Sequence, residues 1–320
     1  MRCLALILAL LSALPAAADP LALEVQRPFG TLHGTLERPE GPVRAAALIL
    51  PGSGPTDRNG NSHLGLASDA YRLLAEGLAA QGIAALRIDK RGIGASEGDP
   101  NAVSLAAYRE DTAAWVALLR AETGTPCVWL IGHSEGAILA ADAAALPDIC
   151  GLVLLAGPGR PLGALMRDQI AAQPALRPYL PAFDTALAQL IETGTAETAA
   201  LPPGLAAIFG PATRAYLREL VTTDPAAQLA ATDLPVLMIH GDADLQVPPS
   251  EAAPLATARP DATLVTLSGM THMLKRAIPL DEAASLETYV NASLATYADP
   301  ALPLHDGLIP AIAAFLAAPP

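Results

Sequence analysis

The stretch CVWLIGHSEGAILAADAAAL, residues 127 to 146, joins a short apolar run to a helical pattern through two glycines and a serine. CVWLIG reads as a strand buried on both faces and GAILAADAAAL as a helix. Between them GHSEG, residues 132 to 136, fits GxSxG. A buried strand running directly into a tight turn and out into a helix lifts the serine hydroxyl above the end of a sheet, the placement a nucleophile needs. Gly132 and Gly136 permit the close approach of helix and strand that a side chain would obstruct. Ser134 is therefore the candidate nucleophile. A second match, GASEG at residues 94 to 98, follows the strand end and Gly-rich loop LRIDKRGIGA and precedes the turn residues GDPN. Ser96 has no strand before it and no helix after it, so a structural role is expected there.

Working outward, the same alternation recurs. TLHGTLERP (31 to 39) reads as an edge strand, and AAALIL (45 to 50) as a buried strand ending in the loop PGSGPTDRNG. A helix follows near residues 67 to 81, with Tyr71, Leu74, Leu78 and Ala79 on one face, then the strand AALRID (84 to 89) and the helix LAAYREDTAAWVALLRAE (105 to 122). After the central stretch come the strands ICGLVLLAG (149 to 157), LPVLMIHG (234 to 241) and ATLVTL (262 to 267). Alternating strands and helices predict an α/β fold, a mostly parallel sheet covered on both faces. Between Pro158 and Ala230 only helical patterns occur, such as FDTALAQLIE and PATRAYLRELV, broken by proline-rich joints. An insertion after a central strand lies at the carboxyl edge of the sheet, where ligands bind. Residues 160–228 are accordingly expected to form a helical cap, and residues 19–159 and 229–320 the core.

The 320 residues carry 52% hydrophobic and 16% charged side chains, enough for a large core, and a formal net charge of −13. That charge argues against nucleic acid or an anionic membrane surface as partner. The opening MRCLALILALLSALPAAADP has Arg2 ahead of an apolar run from Leu4 to Leu14 and small residues at Ala16 and Ala18. It reads as a signal peptide, residues 1–18, cleaved after about Ala18, which predicts an exported protein, periplasmic or secreted. The run is too short to span a bilayer, and no stable membrane insertion is expected. No His, Asp and Cys set has metal-ligand spacing and GSGPTDRNG lacks the GK[ST] ending of a phosphate loop, so neither metal nor cofactor is expected. His33, His133, His240 and His305 read as ordinary strand, loop or tail residues, His63 as a solvated loop residue with pocket lining as the other choice, and the tail GLIPAIAAFL as a packing helix with Leu308, Ile312, Phe315 and Leu316 on one stripe.

A serine hydroxyl needs a base to take its proton and a third group to orient the base. HGDADLQVP puts Asp242 and Asp244 on the loop after LPVLMI, and SGMTHML puts His272 just after ATLVTL, both at the carboxyl edge of the expected sheet. The order Ser, Asp, His matches a hydrolase sheet. Either aspartate satisfies the position; the other is a turn residue.

Four blocks, PGSGPTDRNG, DKRGIGAS, GHSEG and GDADLQVP followed by MTHM, together resemble the α/β-hydrolases. In particular they resemble bacterial exported carboxylesterases and serine-aminopeptidase-like hydrolases with a GSGPTDRxG oxyanion loop, here Gly52 to Gly60. The resemblance reaches from about Leu32 to the final helix and is weakest in the cap. It implies that Asp244, fourth in the GxxDxxVP block, is the acid, and that DKRGIGAS is a structural turn. It implies hydrolysis of small-molecule carboxylic esters through an acyl-enzyme, with Ser134, Asp244 and His272 catalytic; an aminopeptidase or amidase, or an inert binding homologue, are the alternatives. The oxyanion hole is expected from two backbone amides, Glu135 after the nucleophile and Ser53 on the loop after AAALIL, with Gly54 adjacent as the other choice. Asp57, Arg58 and Asn59 read as a clasp on that loop, substrate contact being the other possibility.

Cys127 and Cys150 open consecutive strands joined by one helix, and a right-handed crossover makes such strands parallel neighbours about 4.8 Å apart. A disulfide is geometrically feasible at that spacing, and two separate buried thiols are the alternative.

Overall fold

In the computed structural model, which describes residues 19–277 and 282–317, eight strands form one sheet. The expected leader, residues 1–18, lies outside the described residues. Strands β1 (Leu21–Arg27) and β2 (Gly30–Glu37) make an antiparallel hairpin, and β3 (Ala45–Leu50) follows. The pair β4 (Asn61–Ser62) and β5 (Leu66–Ala67) is a separate small hairpin, after which come helix α1 (Ala70–Ala79), β6 (Ile83–Ile88) and α2 (Leu105–Thr123). Then follow β7 (Val128–His133), α3 (Glu135–Asp142) and β8 (Ile149–Leu155). Five helices come next: α4 (Leu162–Ala172), α5 (Leu180–Thr193), α6 (Pro203–Ile208), α7 (Arg214–Thr222) and α8 (Pro225–Ala230). The chain re-enters the sheet with β9 (Val236–Gly241), α9 (Ala252–Ala258) and β10 (Thr263–Leu267), and the described part closes with α10 (Leu286–Ala295) and α11 (Leu308–Leu316).

The strand order is β1-β2-β6-β3-β7-β8-β9-β10, parallel from β6 to β10. The core strands β3, β6, β7 and β9 are buried along their whole length, which is why they read as continuous apolar runs and not as alternations. Their two faces feed separate apolar layers. One packs Trp115 and Leu119 of α2 with Leu139 and Ala140 of α3; the other packs Tyr71, Leu74 and Leu78 of α1 with Leu308 and Ile312 of α11.

One expectation fails at the sheet margin. The segment 31 to 39 is not the edge: β1 pairs outside it in full register, from Leu21 with Leu36 to Arg27 with Gly30. LALEVQR carries little apolar signal because among its residues only Leu23 is buried. The expected neighbours β7 and β8 are parallel partners, and Cys127 and Cys150 are joined by a disulfide with Cα atoms 5.2 Å apart.

Helices α4 to α7 carry a third apolar cluster of their own, centred on Phe183, Leu190, Phe209 and Leu217. Helix α8, which straddles the expected boundary at 228/229, packs instead on α3 and α9, and its Leu229 joins the main core. Four polar ties hold these helices to the sheet. Glu251, fully buried, accepts from the Gly159 and Arg160 amides at 3.0 and 3.2 Å and also pairs with the Arg160 guanidinium. Gln169 donates to the Gln246 carbonyl (2.8 Å), Glu219 accepts from the Leu105 amide (2.7 Å), and Tyr216 donates to Glu135 (2.9 Å).

Candidate active site

Because β3, β7 and β8 are in register at their carboxyl ends, with Leu50 opposite Gly132 and His133 opposite Leu155, the chain leaving each strand converges on one point. Ser134 stands there at φ 55°, ψ −121°, a left-handed conformation that costs a side-chain-bearing residue about 1–3 kcal/mol. Its amide is tied to the Leu155 carbonyl (2.9 Å) and its own carbonyl accepts from Ala137 (2.9 Å), which holds the turn in that conformation. A Cβ on Gly132 would collide with the Gly136 carbonyl, and one on Gly136 with the Leu50 carbonyl, so both glycines are required by close backbone approach.

Asp244 and His272 meet beside this turn. His272 Nδ1 lies 2.8 Å from Asp244 Oδ2, and the other carboxylate oxygen accepts from the Gln246 and Val247 amides at 2.7 and 2.9 Å. Since the carboxylate only accepts, Nδ1 carries the proton and Nε2 is left as a free base. Ser134 and His272 both line the cavity; among the described residues the Ser134 hydroxyl makes no hydrogen bond. The other aspartate of the loop does something different. Asp242 accepts from Ser268 Oγ (2.9 Å) and the Gly269 amide (2.6 Å), bracing the turn that precedes His272.

The remaining residues singled out in the sequence divide sharply. Ser96, 6% exposed, accepts from the His33 amide (2.9 Å) and donates to the Asp89 carbonyl (3.0 Å), stitching the DKRGIGAS turn to β2. Asp57 accepts from the Asn59 and Asn61 amides, Arg58 pairs with Asp89, and Asn59 accepts from Arg87. All three hold their loop and none lines the cavity. His63, by contrast, does line it. Ser53, Gly54 and Glu135 line the cavity with Ser134, and among the described residues none of their three backbone amides has an acceptor.

Two histidines read as ordinary prove to be buried near the site. His133 Nε2 donates to the His272 carbonyl (2.8 Å), which forces its Nδ1 to accept, so Tyr71 donates to it at 2.8 Å. Tyr71 in turn accepts from the Gly52 amide (2.9 Å), and a polarised chain runs from the loop after β3 to the backbone of His272. Burial, and then the neighbouring His272, push the His133 imidazole down to about 3. His240, fully buried with both ring nitrogens unpartnered, is held near 4, chiefly by desolvation. Spacing along the sequence gives no sign of these contacts, because the partners lie 62 and 139 residues apart.

The cavity above Ser134 has a volume of about 960 Å³. Helices α4 and α7 contribute Leu162, Leu165, Met166, Leu217 and Leu220 to it, and its carboxylate lining among the described residues is Glu135 alone. No group of His, Cys, Asp and Glu among the described residues is arranged to hold a metal ion.

A family model described as serine aminopeptidase, S33, matches residues 63–276. The chain belongs to this family of α/β-hydrolases. The matched range contains Ser134, Asp244 and His272, while the family's match begins after the Gly52–Gly60 loop. Esterase EstD of Thermotoga maritima is 30% identical over 218 residues, 67% of this chain and 49% of that protein, so the chain spans about half the length of the curated relative it matches. Among solved structures, Est1E of Butyrivibrio proteoclasticus with bound ferulic acid aligns with a TM-score of 0.56 at 17% identity, covering 92% of this chain and 96% of that one. A Pyrococcus furiosus esterase aligns at 0.53 and 18%, covering 78% and 82%. At such identities the likeness is one of fold.

Proposed function

We propose that this family member is a serine esterase acting on small-molecule carboxylic esters through an acyl-enzyme. The observation that carries the reading is the 2.8 Å bond between His272 Nδ1 and Asp244 beside a serine held in a strained turn at the mouth of an apolar cavity. Ser134 Oγ attacks the ester carbonyl carbon as His272 Nε2 takes its proton, and Asp244 supports the imidazolium. The oxyanion is received by the free amides of Ser53 and Glu135. Collapse expels the alcohol, protonated by His272; water then repeats the cycle on the acyl-enzyme and releases the acid. Helices α4 to α7 act as a cap whose leucines favour an apolar substituent.

An aminopeptidase needs a cavity carboxylate free to grip the substrate's ammonium. Glu135 is occupied by Tyr216 and lies 3.5 Å from Lys90 Nζ, which favours the ester. The same proposal places the protein outside the cytoplasm, a reading supported by the leader-like segment and by the Cys127–Cys150 disulfide, a bond that persists in oxidising compartments. Among the described residues no helix is long and apolar enough to cross a membrane.

The test is a series of p-nitrophenyl esters from acetate to decanoate. Turnover by the wild type and none by Ser134→Ala supports the reading, with Leu217→Ala changing the ranking of chain lengths more than the rate on acetate. No turnover of any ester by the wild type would remove it.

A further inference from the structure

One cation that lines the cavity with Ser134 is buried and has no part in the steps above. Lys90 follows β6 in the DKRGIGAS turn and is 6% exposed. Its ammonium donates to the Gly52 carbonyl at 2.7 Å, stands 3.5 Å from Glu135 Oε1, and lies over the Tyr108 ring, 5.8 Å from its centre. A buried ammonium is costly unless its protons are placed, and these are placed on the two segments that supply the proposed oxyanion amides. The bond to Gly52 matters most. The Gly52 carbonyl and the Ser53 N–H are opposite ends of one planar, trans peptide unit, so fixing the first fixes the direction of the second. A cation on the carbonyl oxygen also draws electron density through the amide and makes its N–H a stronger donor.

We propose that Lys90 is a positioning residue of the oxyanion hole, orienting and polarising the Gly52–Ser53 peptide through its carbonyl while holding Glu135, the residue that carries the second amide.

The inference rests on the esterase reading. The surroundings fit it in three further respects. The Gly52 amide is held independently by Tyr71 at 2.9 Å, so the peptides on both sides of Gly52 are clamped before substrate arrives. Gly52 itself lies against the nucleophile, since a Cβ there would sit 3.3 Å from Ser134 Cβ. The next peptide is fixed by a weaker, neutral donor, Thr56 Oγ1 on the Ser53 carbonyl (2.9 Å), so the charged clamp falls on the unit carrying the Ser53 N–H and not on that carrying Gly54. A lysine that only neutralised Glu135 would have no need of the shorter contact to a carbonyl.

Donors to the oxyanion act in the transition state and leave ground-state binding alone. The test therefore compares two matched ligands, an alkyl trifluoromethyl ketone, which adds the serine to form an oxyanion, and the methyl ketone of the same chain, which binds without adding. In Lys90→Met, kcat on p-nitrophenyl acetate and affinity for the trifluoromethyl ketone should fall together, about ten- to hundredfold, a misaligned donor costing less than the hundred- to thousandfold of a deleted one. KM and methyl ketone affinity should stay within about twofold. Lys90→Gln, which keeps a neutral donor, serves where the methionine variant does not fold, and its losses should be smaller in the same pattern. Equal weakening of both ketones, or loss of neither, overturns the proposal while the esterase reading stands. A wild type that binds neither ketone and turns over no ester overturns both.

Discussion

Replacing Asp244 by asparagine should abolish most activity without unfolding the protein, and the same change at Asp242 should not. Asp244 uses one oxygen for the Gln246 and Val247 amides and the other for His272 Nδ1. Asparagine keeps the first set, so the loop after β9 holds its shape. Its amide nitrogen then faces Nδ1 as a donor, which requires Nδ1 to accept and moves the imidazole proton to Nε2. In that tautomer Nε2 cannot take the Ser134 proton. The equivalent change in a chymotrypsin-type enzyme, a worked case in protein chemistry, costs about four orders of magnitude in kcat, or roughly 5 kcal/mol of transition-state stabilisation. At Asp242 the asparagine oxygen still accepts from the Gly269 amide and its nitrogen can donate to Ser268 Oγ, so kcat should change by less than about threefold. Steady-state hydrolysis of p-nitrophenyl acetate by both variants, with melting temperatures recorded alongside, is the assay. Equal losses, or a larger loss at Asp242, would refute the assignment of the orienting carboxylate.

Two further outcomes follow from parts of the molecule away from the triad. The Cys127–Cys150 bond lies where β7 and β8 begin, opposite the active edge; reducing it should remove about 3 kcal/mol of stability, seen as a lower melting temperature, with room-temperature activity unchanged. Activity lost in parallel with the bond would contradict that placement. His133 and His240 are held neutral in the fold near 3 and 4 but titrate near 6.5 once unfolded, so acid favours the unfolded chain. Stability should be full above about pH 7 and fall, as pH drops from 6.5 towards 4, by up to about 3 kcal/mol per pH unit, two histidines at about 1.4 each. Urea midpoints across that range test it, and His240→Gln should flatten the slope by about half.

The elbow was legible because everything that defines it is contiguous: a buried strand, two glycines that the backbone contacts require, and a helix within twenty residues of sequence. The same local grammar separates Ser96, whose hydroxyl is spent on a turn, from Ser134. That Cys127 and Cys150 come within bonding reach was readable from topology, since strand order fixes which strand openings are neighbours; that they are bonded and not two separate thiols was not. What escaped is non-local. The β1 strand buries one side chain and so leaves almost no periodic signal, and its place is decided by a hairpin that closes at Gly30. His133 looks like the free position of a motif until folding sets it between Tyr71 and His272, and Lys90 looks like part of a turn until Gly52 is brought against it. Helix α8 reads as the end of a helical insertion because helical periodicity is blind to which layer receives its apolar face.

The central claim is that Ser134, activated by His272, is the nucleophile. Incubating the purified protein with a fluorophosphonate probe and mapping the adduct by peptide mass spectrometry tests it most directly. The account predicts one adduct, on Ser134, formed equally in Ser96→Ala and absent from Ser134→Ala. An adduct on any other residue, or labelling that survives Ser134→Ala, would contradict it.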